Sequence, residues 1–330
     1  MTPPMKPLMS GMRPTGRLHL GNLLGALDNW VRLQDAYNCF FSVVDWHALT
    51  TVYEDPGEIS ANIREMVIDW VSAGLDPERS VLFVQSHVKE HAELHLLLSM
   101  IIPIPWLERV PTYKDQIQQL KGKDLSTYGF LGYPLLQSAD ILVYQAEVVP
   151  VGEDQLPHLE LTREVARRFN YLYEPVFPEP QALLNRVRLL PGTDGRKMSK
   201  SYDNCISMSA SPEEVKQKVQ QMVTDPARIH KTDPGHPEVC VVHKFLQVFD
   251  TETVGETEDD CRAGRIGCVA CKKRLLTRLN AFLDPIRERR ALLEGQPGLV
   301  DGIIADGAER ARRIAADTME RVRAAMKLRV

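Results

Sequence analysis

Short apolar runs rich in β-branched residues alternate with amphipathic stretches over the first half of the chain. Pro7 to Met12, Cys39 to Asp45, Ser80 to Ser86 and Val148 to Gly152 read as strands. Between them, about Asn22 to Ala36, Pro56 to Ala73 and Glu90 to Met100 carry helical periodicity. Strand, helix and strand recurring every roughly 30 to 40 residues is the pattern of βαβ units on a parallel sheet. The expected class is α/β: a doubly wound parallel sheet with its ligands at the carboxyl ends of the strands. Pro103, Pro105, Pro111, Gly122, Gly129 and Gly132 break the rhythm, so 103–133 reads as an insertion between two halves of the sheet. Strand signals cease after about residue 207. Ser211-Pro212-Glu213-Glu214 then opens a helical region with an N-cap, a first-turn proline and capping-box spacing. The chain thus divides into an α/β domain, 1–207, a helical domain, 208–297, and a C-terminal segment, 298–330. In that last segment Asp301 to Leu328 is amphipathic, with Ile303, Ile304, Ile314, Met319, Val322 and Met326 available for packing.

Composition adds a class and a compartment. With 330 residues, 44% hydrophobic and 25% charged, the chain has the make-up of a soluble globular protein of two domains. No apolar run has the length of a membrane span. The N-terminus, with Pro3, Pro4, Lys6 and Pro7, lacks a signal-peptide core, so a cytoplasmic protein without membrane partners is expected. Net charge is −4, but from Cys261 to Val330 there are 16 Lys and Arg against 8 Asp and Glu, a local +8 that leaves −12 elsewhere. Such asymmetry suits a C-terminal part that meets a polyanion; arginine-rich solvent faces of helices would give the same count.

Two stretches carry candidate phosphate chemistry. Lys197-Met198-Ser199-Lys200-Ser201 follows Gly192 and Gly195 and places two ammonium groups three positions apart beside hydroxyls, which suits a loop closing on a triphosphate. Far upstream, Ser10-Gly11-Met12-Arg13-Pro14-Thr15-Gly16-Arg17-Leu18-His19-Leu20-Gly21-Asn22 joins the first strand to the first helix. Its glycines permit close backbone approach, and the helix start offers free N–H groups to phosphate. His19 and Asn22 share one face of the first turn; the other reading of His19 is a helix cap. Neither the Gly-X-Gly-X-X-Gly turn nor the Gly-X4-Gly-Lys-Ser/Thr loop is present.

Pro14 to Asn22 resembles the first signature of class I aminoacyl-tRNA synthetases, and Lys197 to Ser201 resembles the second, in the right order across an interrupted α/β domain. Val44-Asp45-Trp46-His47-Ala48-Leu49-Thr50, Tyr133 to Leu142 and Val149 to Gln155 are similar to the tryptophan branch of that family, and the likeness covers nearly the whole chain. The resemblance implies a Rossmann-like catalytic domain and a helical anticodon-binding domain. It also implies a two-step reaction: L-tryptophan attacks the α-phosphate of ATP to give the adenylate and pyrophosphate, and the aminoacyl group then passes to tRNA(Trp). Neither step needs an enzyme nucleophile, and catalysis rests on positioning and on cations where charge develops.

By the same resemblance Lys197, Lys200, His19 and Asn22 are the catalytic candidates, with Met198, Ser199 and Ser201 completing the loop. Arg13, Pro14, Thr15 and Gly21 line the ATP site, Gly152, Glu153 and Asp154 meet the ribose, and Val187 belongs to the adenine pocket. Arg13 stands where many relatives carry Gln; Lys114 is a further phosphate candidate. Mg²⁺ accompanies ATP, held chiefly by phosphates and water. Asp140 lies inside an apolar run, where a buried carboxylate needs a donor, and the indole N–H is one. A tyrosine hydroxyl would also serve, and the motif around Asp140 favours tryptophan. The competing structural role of Asp140 is a helix N-cap or an ion pair with arginine. Tyr133, Gln137, His47 and Gln155 complete the expected tryptophan pocket.

Cys240, Cys261, Cys268 and Cys271 follow the pattern Cys-X20-Cys-X6-Cys-X2-Cys, a soft four-thiolate set for zinc or [4Fe–4S]. Spacing leaves the two equal; the resemblance, to a bacterial subset of the family with such a C-terminal cluster, favours [4Fe–4S] as a brace for the tRNA-binding surface beside Lys272, Lys273, Arg274 and Arg278. Cys39 reads as core. The family habit implies a homodimer with contacts from the insertion. The alternatives are the tyrosine-specific relative and a non-catalytic RNA-binding paralogue.

Overall fold

The computed structural model describes residues 5–111, 113–114, 125–184 and 190–328. Val187 and the polar stretch Gln116 to Lys123 of the expected insertion lie outside the described residues. The chain forms two compact units, one of Met1–Gly16, Trp30–Arg186 and Gln296–Val330, the other of Arg17–Asn29 and Val187–Gly295.

The first unit is built on a five-stranded parallel sheet in the order β3-β2-β1-β4-β5. Its strands are β1 (Pro7–Met12), β2 (Asn38–Val43), β3 (Val81–Val84), β4 (Val148–Val151) and β5 (Gln181–Leu184). The register runs from Pro7↔Asn38 to Met12↔Val43 between β1 and β2, and Leu8 pairs with Val148 on the other side. Parallel strands covered on both faces read as continuous apolar runs. Leu8, Met9, Phe40, Phe41, Leu82 and Phe83 are accordingly buried. Trp30 stacks on Phe41 with ring centroids 4.6 Å apart, and Tyr144 stacks on Phe40 at 4.8 Å. Strand order reverses at β1, which places the crevice of a doubly wound sheet between the ends of β1 and β4.

Strand ends are trimmed where polar groups take over. β2 stops at Val43 because Asp45 opens a helix (Asp45–Val52), and its carboxylate accepts from the Ser86 N–H at 3.0 Å. β3 stops at Val84, where Gln85–His87 coil into a 3₁₀ turn. β5, half exposed at the sheet edge, is a strand the hydrophobic pattern does not announce.

The helix Pro297–Ala325 packs on β3 through Ala308, Ala311, Ala315, Met319 and Val322. At Gly307 the approach is so close that a Cβ would lie 1.8 Å from the Leu82 carbonyl oxygen. Ile314, expected to pack, is 38% exposed, whereas Met319 and Val322 are fully buried.

The second unit is helical apart from a short loop system. Ser211 caps Pro212–Gln221, its side chain accepting from Glu214 N–H while the Glu214 carboxylate accepts from Ser211 N–H. Val241–Phe249, Val254–Arg262 and the 27-residue Cys268–Glu294 follow. Phe245, Leu246, Leu275, Leu279 and Leu283 form their core. The buried Asp250 carboxylate is held by Arg278 at 3.0 Å.

Candidate functional site

A cavity of about 310 Å³ opens in the first unit, within the size range of small-molecule sites. Met9, Ser10 and Gly11 of β1 and Val149, Pro150 and Val151 of β4 form part of its wall, so it occupies the crevice that strand order dictates. Asp140, Tyr133, Gln137, His47 and Gln155 all line it, as do Arg13, Thr50 and His158. The last two were not expected from sequence.

Asp140 is 3% exposed and sits in the helix Tyr128–Leu142. Its Oδ1 accepts from His91 Nδ1 at 2.7 Å and from Gln85 Nε2 at 2.8 Å; its Oδ2 accepts from His47 Nε2 at 2.9 Å and Gln85 Nε2 at 2.9 Å. It is therefore neither an N-cap nor an arginine partner. Burial pushes its acidity toward the neutral form, but the hydrogen bonds and charges of His47 and His91 prevail and hold the carboxyl well below its ordinary range. An ionised carboxylate only accepts, which fixes the N–H of His91 on Nδ1 and that of His47 on Nε2. On its other side, His91 Nε2 is hydrogen-bonded to the Tyr144 hydroxyl at 2.6 Å. Burial, with Asp140 and Glu90 nearby, keeps that phenol protonated.

Arg13 reaches the same cavity and donates through Nη2 to Thr51 Oγ1. Its Nε has no hydrogen-bond partner among the described residues, and burial lowers its pKa. A guanidinium with an unanswered donor beside a cavity is suited to an anion. Pro14 is buried and Thr15 exposed in the same unit. Gly152 follows β4, and the Asp154 carboxylate lies against it, 2.6 Å from where a Cβ would stand; Glu153 and Asp154 are exposed beside it.

In the second unit the two signatures meet. His19 is the N-cap of the turn Leu20–Asn22: its Nδ1 accepts from Asn22 N–H at 3.3 Å, and its N–H donates to Asn22 Oδ1 at 3.1 Å. The capping reading is thus correct for those atoms, while His19 Nε2 and Asn22 Nδ2 lie outside the box. Burial lowers the His19 pKa, and Lys200 lowers it further. Leu20 N–H donates to Ile206 O and Met208 N–H to Leu18 O, each at 2.9 Å, which pins the first signature to the chain just after the second. Met198, 7% exposed, inserts toward Gly21, while Lys197 and Lys200 are exposed.

Asn204 organises the loop. Its Oδ1 accepts from Ser199 N–H at 2.8 Å, its Nδ2 donates to Asp194 Oδ1 at 2.8 Å and to Lys197 O at 3.1 Å, and its own carbonyl accepts from Thr193 N–H. Gly192 is open because a Cβ would lie 2.3 Å from that amide, and Gly195 takes φ +86°. Ser199 and Ser201 share a hydroxyl contact at 2.7 Å.

The four C-terminal cysteines are reduced; Cys271 is buried and the other three partly buried. Burial, then its neighbours Cys261, Cys240 and Cys268, pushes the Cys271 thiol up to about 11. Arg228 Nη1 lies 3.6 Å from Cys261 Sγ, and that sulfur packs against Gly235, where a Cβ would meet it at 2.6 Å. Among the described residues, no three or more His, Cys, Asp or Glu side chains are drawn together as a metal site. Lys114 is exposed.

Sequence reading missed Gln85, His91, Tyr144 and Asn204. One signal was present: His87, His91 and His95 recur every fourth residue, the spacing of one helical stripe.

The family tRNA synthetases class I (W and Y) matches residues 5–284. The tryptophan–tRNA ligase of Thermotoga maritima is 56% identical, covering 97% of this chain and 99% of that protein. That of Aquifex aeolicus is 47% identical, covering 97% and 99%. The solved tryptophanyl-tRNA synthetase of Campylobacter jejuni, complexed with ADP and tryptophane, superposes with TM-score 0.89 at 33% identity over 97% of this chain and 99% of that one. A parallel sheet with a polar cavity at its switch point, two signatures joined through Gly21 and Met198, and full-length likeness at this level agree: the chain belongs to the tryptophanyl-tRNA synthetases, in class I of the aminoacyl-tRNA synthetases.

Proposed function

We propose that the chain activates L-tryptophan with ATP and transfers it to tRNA(Trp). The observation that carries this reading is the ionised Asp140 carboxylate in the cavity wall, held in place by His47, His91 and Gln85 through four contacts. The edge that Asp140 presents to the cavity answers the indole N–H. Tyr133, Gln137, His47 and Gln155 surround the amino acid, and Arg13 meets carboxylate or phosphate oxygens as they become linked. His19 through Nε2, Asn22 through Nδ2, and Lys197 and Lys200 stabilise the pyrophosphate as it leaves, with Pro14, Thr15, Gly21, Met198, Ser199 and Ser201 shaping the phosphate path. Gly152, Glu153 and Asp154 meet the ribose, and Val187 the adenine. Mg²⁺ enters with ATP and is held mainly by phosphate.

The helical region binds the anticodon end, and the protein works in the cytoplasm as a homodimer. No helix among the described residues is long and apolar enough to cross a membrane. Cys240, Cys261, Cys268 and Cys271 fit a soft metal centre by donor chemistry, and burial with the neighbouring thiols acts on Cys271. A [4Fe–4S] cluster, or zinc in its place, would brace this surface, displacing thiol protons as it binds. Anaerobic purification separates the two: a brown protein supports iron–sulfur, a colourless zinc protein overturns it.

Pyrophosphate exchange across the amino acids tests the central claim. Exchange driven by tryptophan is expected; exchange with tyrosine alone, or with none, would sink it.

A further inference from the structure

Behind the cavity wall lie three polar side chains to which the proposed function gives no part. Gln85 and His91 are 0% exposed and Tyr144 is 1% exposed. They come from the turn after β3, from the helix Glu90–Ser99 and from the chain just past Leu142. None of them lines the cavity, whereas Asp140 and His47 do. Polar groups this deep cost desolvation unless their hydrogen bonds are complete, and these are joined in one network. The Tyr144 hydroxyl is hydrogen-bonded to His91 Nε2 at 2.6 Å, His91 Nδ1–H donates to Asp140 Oδ1 at 2.7 Å, and Gln85 Nε2 donates to both Asp140 oxygens. The Gln85 amide cannot turn over without loss, because its Oε1 accepts from Trp46 N–H at 3.2 Å. The network therefore ends on one buried carboxylate that lines the cavity.

We propose that Gln85, His91 and Tyr144 form a positioning relay that sets the specificity of the pocket, fixing Asp140 so that the edge it presents to the cavity meets a ring N–H and rings lacking that donor are rejected. The inference rests on the reading that Asp140 receives the substrate N–H. The relay touches no substrate. It removes the alternatives open to a loose carboxylate: rotation away from the ring, protonation, or capture of a water. A pocket whose polar group is held in this way penalises a ligand that leaves it unanswered.

The experiment crosses substitutions with a substrate pair in the full-length protein. Pyrophosphate exchange is measured with tryptophan and with β-(benzothiophen-3-yl)alanine, which keeps the ring shape and replaces N–H by sulfur. His91→Leu is expected to lower kcat/KM for tryptophan roughly ten- to hundredfold, mainly through KM, as for loss of support to a charged hydrogen bond. The sulfur analogue should change by less than about threefold, so the preference collapses. His91→Asn, which returns an N–H near the Nδ1 position, should restore most of the preference. Tyr144→Phe keeps the ring against Phe40 and Phe83 and removes only the hydroxyl, so it decides the matter should His91→Leu fail to fold. It is expected to narrow the preference severalfold. Equal losses on both substrates, or an unchanged preference in the Tyr144 and His91 variants, would overturn the relay while leaving Asp140 in its role. If wild type itself fails to distinguish the pair and Asp140→Asn affects both alike, the reading of Asp140 falls and the relay falls with it.

Discussion

The sulfur of Met198 stands 3.2 Å from the point where a Cβ on Gly21 would lie, and that Cβ would also meet the His19 ring at 3.0 Å. The second signature is therefore seated on the first through a missing side chain. Gly21→Ala should displace Met198 and the imidazole by a few tenths of an ångström. Exchange at saturating tryptophan is expected to slow about tenfold with a raised KM for ATP. Tryptophan binding, followed by equilibrium titration, should not change. Unaltered ATP kinetics would show that the contact has no part in the reaction.

Lys200→Ala should slow adenylate formation by roughly 10²- to 10³-fold, the scale of losing one charge stabiliser in a transition state. Tryptophan affinity should stay within about twofold, since a transition-state interaction contributes little to ground-state binding. Rapid-quench measurement of the first turnover separates the two; parallel loss of both would make the loop structural.

Asn204→Ala removes a side chain that accepts from Ser199 N–H and donates to Asp194 and Lys197. Leaving those groups unanswered should cost about 1 to 3 kcal/mol of stability. A fall in exchange rate without loss of tryptophan binding is expected alongside it, read by calorimetry and by exchange on one preparation.

What sequence could and could not show follows from the reach of each signal. β1 has the predicted bounds, and the capping box at Ser211 and Glu214 forms as the local pattern requires, because both depend on a few adjacent residues. Asp140 was legible because a carboxylate in an apolar run demands a partner. Which partner was not: His47, His91 and Gln85 lie 93, 49 and 55 positions away, and only the fold brings them together. β5 escaped notice because a four-residue edge strand, half exposed, carries no alternating apolar signal. Asn204 looked like one more polar residue in a polar loop, since its importance lies in the backbone atoms it reaches.

His158 lines the cavity, and burial, reinforced by His47, pushes its pKa from 6.5 down to about 4 despite Asp154. Between those values the unfolded chain binds a proton that the folded protein refuses, so stability falls as pH drops from 6.5 toward 4 and the loss stops below that. At 1.36 kcal/mol per unit the full effect is about 3 kcal/mol. Thermal melts of His158→Gln should show a shallower acid slope than wild type over that window; parallel slopes would refute the assignment.

Gly307→Ala asks for a Cβ where the Leu82 carbonyl already lies. The helix must lift from β3, and a loss of about 1 to 3 kcal/mol is expected, the usual cost of overpacking. A chemical-denaturation midpoint equal to wild type would mean that the helix slides without cost.

The seat of Pro297–Ala325 on β3 also bears on the order in which the molecule can be made. The covering helix emerges from the ribosome about two hundred residues after the strand it covers, with the whole segment Val187–Gly295 synthesised between them, so this contact has a high sequence separation and forms late. Until then the face of β3 that this helix covers stays open to solvent. For the same reason no truncation ending before Gln296 isolates the sheet-bearing unit intact: a shorter fragment carries the cavity residues but leaves Leu82 and its neighbours uncovered.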